Sequence, residues 1–372
     1  MKTSLKIETD NLIIAMLGSS VLGVAVSYGD IYLFHILLGF LCITWMYQLK
    51  KNKYRFERNS LSNNYFFIPL LMFFWYSLSL IWAPDSQLAL KYIFYIFCGL
   101  IISFSTVSFS SSIQKLNSLF KILSVFFIIE LVIALFESIT SFRMPISSYS
   151  SIAPYFGKEP IDLFSFENVF AYSDFKPPTG FHWNTNDLAI AMVIILPFFL
   201  CSPKILTKSI GAISITAITV MTASRAVFIG LILTYCLYLI MIKKKIGTLF
   251  IIWISTIGIF WGMNELSDSE NPRINEVANS INALTMYLTG DIDLGGSLEW
   301  RRELVYNGIV ALSKTYGLGL GAGGSTANQE NIGAVAGRFT SMHNFWVELL
   351  VEGGIIFSIL LFFWYGSIIY NL

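Results

Sequence analysis

Charge is what this chain has least of: 13% of its residues are Asp, Glu, Lys or Arg, against 55% hydrophobic ones, and its mean hydropathy is +0.67. Soluble globular domains carry about 25% charged residues, so water is excluded as the main solvent. Cysteine is scarcer still. Cys42, Cys98, Cys201 and Cys236 all fall inside apolar runs without paired spacing, which excludes a disulfide framework or zinc site and places them as core residues. There is no internal repeat, no low-complexity tract and no Walker ending of the Gly-Lys-Ser/Thr type. The first apolar stretch lacks a small-residue cleavage site and is expected to be retained as the first span.

What the chain has instead is long apolar runs. Each is roughly 17 to 22 residues long, enough at about 1.5 Å per residue to cross a hydrocarbon core of about 30 Å. Spans are expected at 11–29, 31–49, 65–83, 89–109, 120–138, 185–201, 206–222, 226–242, 246–263 and 345–369. The fold class is therefore all-α, a polytopic transmembrane helix bundle of about ten spans in a single membrane domain over 1–372. Taken as one helix, Ile205 to Ile242 would be roughly 57 Å long. It must fold back, and Thr222 to Arg225 is its only polar break.

Lys and Arg set the orientation, because positively charged loops stay in the cytoplasm. With the N-terminus inside, Lys50, Lys51, Lys53, Arg55 and Arg58, then Lys115 and Lys121, Lys204 and Lys208, and Lys243 to Lys245 all fall on that side. Of the acidic residues only Glu8, Asp10 and Glu57 join them. The C-terminus then also lies inside. Two outer connections are far longer than turns, 139–184 and 264–343, and loops of that length usually carry function or are disordered. The first is rich in aromatics such as Tyr149, Tyr155, Phe156, Phe181 and Trp183. That composition argues against disorder and for packing on the membrane surface or lining a site.

Residues with chemical potential gather on the outer side, where the positive-inside rule disfavours arginine. Arg225 stands in the Thr222-Ala223-Ser224-Arg225 turn between apolar runs, where a guanidinium at mid-membrane depth costs about 2.5 to 3.5 kcal/mol. Such a residue is a functional candidate, the bland alternative being a headgroup anchor. Ser297 to Val305 has the signature of a helix start, with Ser297 as N-cap, and an amphipathic helix is expected near 298–316. Helical spacing puts Arg301 on a face with Leu304, Val305, Gly308 and Leu312 and turns Arg302 to solvent, in reach of Glu299 or Glu303. The run Gly317-Leu318-Gly319-Leu320-Gly321-Ala322-Gly323-Gly324 follows. It could bare N–H groups to a phosphate, though a flexible loop is the plainer expectation.

Met342-His343-Asn344 opens the last span, setting an imidazole at the interface, where it suits a general base; an interface anchor is the alternative. Glu348 and Glu352 lie one and two turns further in, both costly unless they face protein or a wet cavity. Phe181-His182-Trp183-Asn184-Thr185-Asn186-Asp187 opens the span at 185–201, with Asn184 or Asp187 placed to cap it. Arg338 is a further outer cation, and Glu130 is a carboxylate deep within a span with no assigned role.

Together these elements resemble the O-antigen ligase and polymerase superfamily of bacterial membrane glycosyltransferases. The resemblance rests on 181–187 with Asn186 before a span, the Ser224-Arg225 turn, Arg301 on a helix that leads to Gly319-Leu320-Gly321, and His343-Asn344-Phe345 running into Glu348 to Ile355. A single span follows His343, where relatives often carry more. What the resemblance implies is a GT-C-like enzyme in the bacterial cytoplasmic membrane, its site extracytoplasmic, acting on an undecaprenyl-diphosphate-linked glycan. It implies Arg225 and Arg301 on the diphosphate, His343 activating the acceptor, and inversion without metal or other cofactor. His182, Asn186, Arg302, Arg338 and Glu348 are expected to bind substrate. Besides that lipid and the bilayer, a flippase and a chain-length regulator are the expected partners; no nucleic acid is expected. A repeat-unit polymerase is the first expectation and a ligase to lipid A core or protein the second. A transporter or flippase would place charges within both halves of the bundle, and a membrane scaffold would not need Arg225 or His343.

Overall fold

The structure, a computed structural model, describes residues 2–51, 60–140, 142–158, 177–222, 224–242, 297–332, 342 and 344–371. Eleven α-helices run through them: α1 Lys2–Leu22, α2 Leu33–Lys50, α3 Ser60–Ser79, α4 Ser86–Phe109, α5 Ile113–Ile139, α6 Thr185–Leu200, α7 Ile205–Thr222, α8 Arg225–Leu237, α9 Ser297–Lys314, α10 Gly324–Ile332 and α11 Phe345–Asn371. The only strands among the described residues are a two-residue pair, β1 Ser27–Tyr28 and β2 Ile31–Tyr32, antiparallel with Ser27 opposite Tyr32. Among the described residues six helices are long and apolar enough to cross a membrane, within α1, α2, α4, α5, α7 and α11. The protein is a multi-pass membrane protein. Three shorter apolar helices, Phe66–Ser79, Thr185–Leu200 and Val227–Met241, coincide with expected spans. The expected span at 246–263 lies outside the described residues, as does most of the loop at 264–343.

The chain divides into two compact units. The first is Met1–Ile43 with Gln114–Asp291, and its core is built from one face each of α5 to α8. Phe127, Leu131 and Ala134 meet Leu188, Met192, Leu196 and Phe199, with Ile215, Ile218 and Leu231 closing the cluster. The α6–α7 and α7–α8 connections are short, so α7 runs antiparallel to both α6 and α8. The expected fold-back is present: α7 ends at Thr222 and α8 begins at Arg225. Gly211 lets the Phe199 ring lie against α7, because a Cβ there would overlap that ring. Of the four cysteines only Cys98 is buried; Cys201 is exposed in the α6–α7 turn. The core assignment is thus corrected for Cys201, whose place at a helix end removes it from the packed face.

The second unit, Thr44–Ile113 with Ile292–Leu372, packs α3, α4 and α11 around Ile68, Tyr76, Ala89, Leu349, Phe357 and Leu361. Its organising feature is a break in α11. Gly354 has φ 82° and ψ 173°, a conformation open essentially to glycine alone. Ile355 N–H turns aside to the Gly317 carbonyl at 2.9 Å, and the carbonyls of Val351 and Glu352 accept from Leu320 N at 2.8 Å and Gly321 N at 3.0 Å. Backbone groups freed by the break are thus satisfied inside protein, the condition for irregular backbone at membrane depth.

That seam overturns both expectations for the glycine run. Its N–H groups are engaged: besides Leu320 and Gly321, Ala322 N donates to Ser79 Oγ at 3.0 Å and Gly319 N to Thr315 Oγ1 at 3.3 Å. Neither a phosphate cradle nor a flexible loop results. The indoles of Trp82 and Trp75 donate to the carbonyls of Gly319 and Gly353 at 3.2 and 2.9 Å, fastening both sides of the seam to α3 and its C-terminal turn.

Candidate functional site

In the first unit the candidate residues stand at one end of the α6–α7–α8 group. Asn184 caps α6 as expected, its side chain accepting from Asp187 N at 2.9 Å while its Nδ2 donates to Asp187 at 2.7 Å. Asn186 is left exposed on the first turn. An Asn184→Ala variant is expected to lose about 1 kcal/mol of stability, read as a lower thermal midpoint in detergent. Arg225 is the first residue of α8, described by its backbone alone. Ser224 before it makes no side-chain cap, so the first-turn N–H groups of α8 remain suited to an anion.

Two carboxylates that sequence reasoning left without a role organise this end. Glu130 of α5 is 1% exposed, and its Oε1 lies 2.8 Å from His182 Nε2. Glu137, two residues before the α5 terminus and also 1% exposed, accepts from Met144 N at 2.8 Å, Thr179 N at 2.7 Å and Gly180 N at 2.8 Å. Both described ends of the loop at 139–184 are thereby tied to α5. Arg143 donates to the carbonyls of Glu137 and Thr140 at 2.8 and 3.0 Å and closes the helix end. The aromatic-rich loop is ordered where described: Gly29 N of the β1–β2 turn donates to Phe156 O at 2.8 Å, and Lys158 pairs with Asp30 at 3.7 Å. Glu137→Gln would turn an amide donor toward backbone donors, and a loss of about 2 kcal/mol is expected. The check is Tm of the purified variant beside wild type.

In the second unit α9 begins at Ser297, and the expected amphipathic helix is present, ending at Lys314. Its buried face is Leu304, Gly308, Ala311 and Leu312, while Arg302 and Tyr306 are exposed. Arg301, described by backbone alone, shares the register of Leu304 and Gly308. At Gly308 a Cβ would strike the Met342 side chain and approach Val351 within 3.1 Å, so α9 lies directly on α11 and on Met342, the residue before His343. His343 and Arg338 lie outside the described residues. Asn344 caps α11, its Oδ1 accepting from Val347 N at 3.3 Å.

Glu348 is half-buried, and Glu352 is 3% exposed. Glu352 Oε1 accepts from Ser325 Oγ at 2.7 Å and from Ser325 N at 3.4 Å, at the N-terminus of α10. Its cost within a span is met by protein donors and a helix dipole. Among the described residues no three His, Cys, Asp or Glu side chains gather as a set of metal ligands.

The candidates thus fall in two sets, His182, Asn186 and Arg225 in the first unit and Arg301, Arg302, Arg338, His343 and Glu348 in the second. Compared with known proteins, the chain matches no curated protein and no solved structure. Residues 210–362 match the family model described as O-antigen ligase. The matched stretch contains Arg225, Arg301, Arg302, Arg338, His343 and Glu348, and excludes Glu130, His182 and Asn186. Residues 210–362 of this multi-pass membrane protein are thus similar to the O-antigen ligase family.

Proposed function

We propose that the protein is a membrane glycosyltransferase that polymerises undecaprenyl-diphosphate-linked repeat units of a surface polysaccharide. It does so from the outer face of the bacterial cytoplasmic membrane, with about ten spans and both termini inside. The observation that carries the proposal is the family match over 210–362, which takes in both the Arg225 turn and the Arg301–His343 stretch.

The chemistry assigns the roles. A glycan on a lipid diphosphate already has a good leaving group, so the enzyme must hold two long substrates, stabilise the departing diphosphate and remove one acceptor proton. Arginine binds oxyanions bidentately and stays charged, which suits Arg225 and Arg301 to the diphosphate. The uncapped N-terminus of α8 adds N–H groups beside Arg225. His343 takes the acceptor proton. Attack on the anomeric carbon from the face opposite the diphosphate inverts its configuration. Asn186, Arg302, Arg338, His182 and Glu348 contact the glycan or the lipid headgroup.

A ligase to lipid A core or protein uses the same donor chemistry and is the second reading. The test is the purified protein in nanodiscs supplied with the lipid-linked repeat unit extracted from a strain lacking this gene. Chains of two and more repeats with release of undecaprenyl diphosphate are expected, at the same rate in EDTA and without nucleotide. No elongation, with transfer once lipid A core is added, would mean a ligase; neither activity would return transport to the front.

A further inference from the structure

We propose that Glu130 is a positioning residue that holds His182 by Nε2 and so presents its Nδ1, beside Asn186, to a hydroxyl of the glycan on the lipid-linked substrate. This rests on the proposed lipid-linked glycan substrate. Three observations carry it. Glu130 is a 1% exposed carboxylate within a membrane-spanning helix, and His182 is its partner at 2.8 Å. A carboxylate is costly there, and a neutral polar residue would fill the same space more cheaply. His182 keeps 22% of its side chain exposed, and its Nδ1 has no partner among the described residues. A ring nitrogen bonded to an ionised carboxylate must carry the proton, since that carboxylate only accepts. In the neutral ring Nδ1 is then the acceptor, as second-sphere carboxylates fix histidine tautomers elsewhere.

The surroundings suit a sugar. The segment carrying His182 is fixed from both sides, by Glu137 on Thr179 N and Gly180 N and by the Asn184 cap after it. Trp183 is part-exposed and Asn186 exposed, supplying an amphipathic ring and an amide with free donors and acceptor. Asp187, the other carboxylate facing His182, is engaged by Asn184. His182 and Arg225 stand at the same end of one helical group, so a glycan bound at His182 would belong to a lipid whose diphosphate lies toward α8.

The test uses full-length protein in nanodiscs, with KM for the extracted lipid-linked repeat unit and Kd for bare undecaprenyl diphosphate. Glu130→Gln and His182→Asn are each expected to raise KM about tenfold with kcat within twofold, and to leave Kd for the bare lipid unchanged. The double variant is no worse than either single one, and Glu130→Asp recovers part of the loss. Unchanged KM, or equal weakening toward the bare lipid, overturns the proposal, as does a fall in kcat alone, which marks a structural role. If wild type does not elongate, the polymerase reading fails by itself, and Kd for the repeat unit against Kd for the bare lipid decides the role of Glu130.

Discussion

Replacing Arg301 by alanine is expected to cut the initial rate of chain elongation by about 10² to 10³-fold, the size of effect seen when one preorganised donor to a developing oxyanion is removed. Arg225→Ala should match it. In the proposed reaction the leaving diphosphate gains charge as the glycosidic bond breaks, and that charge is best stabilised by fixed donors. Arg301 sits three residues before the fully buried Leu304 and seven before Gly308, against which Met342 packs. Its position is thus set by a rigid face rather than a loop. Lysine keeps the charge but loses the planar fork, so Arg301→Lys should recover only part of the rate. Initial rates in nanodiscs at matched protein check this, and wild-type rates for both alanine variants would remove the arginines from the chemistry.

Gly354→Ala is expected to destabilise the second unit by on the order of 3 kcal/mol or more. Alanine meets two penalties there. The backbone at φ 82° and ψ 173° excludes a side chain, and its Cβ would run into the Leu318 carbonyl. Gly319 faces the same seam from the other side, at φ 95°, where a Cβ would meet the Glu352 carbonyl. Relief by helical straightening of α11 would break the bonds from Leu320 and Gly321 to Val351 and Glu352. Gly366 on the same helix has open space around its Cβ position, so Gly366→Ala should be neutral or stabilise slightly. Thermal unfolding in detergent, with membrane abundance, separates the two sites; equal midpoints for both variants would contradict the seam.

Much of the bundle was legible in the sequence because membrane spans announce themselves by length and hydropathy alone. The Thr222–Arg225 fold-back, the Asn184 cap and the two faces of α9 follow from local spacing and hold in the structure. What local spacing does not carry is pairing between distant segments. Glu130 and His182 are 52 residues apart, and nothing in either segment alone names the other. The break in α11 was missed because Gly353-Gly354 sits in an uninterrupted apolar run, which reads as a continuous span. The available signal was the alternating glycines at 317, 319, 321 and 323, whose positive φ values fit a backbone that approaches another backbone closely. Here glycine-rich sequence serves close backbone contact rather than freedom.

The most direct test of the function is the glycan banding of a strain lacking this gene, complemented with wild type, Arg225→Ala, Arg301→Ala or His343→Ala at matched membrane abundance. The polymerase account predicts that wild type restores the ladder of long chains and that each variant leaves a single repeat unit. Long free polymer accumulating in the uncomplemented strain, or full ladders from all three variants, would contradict it.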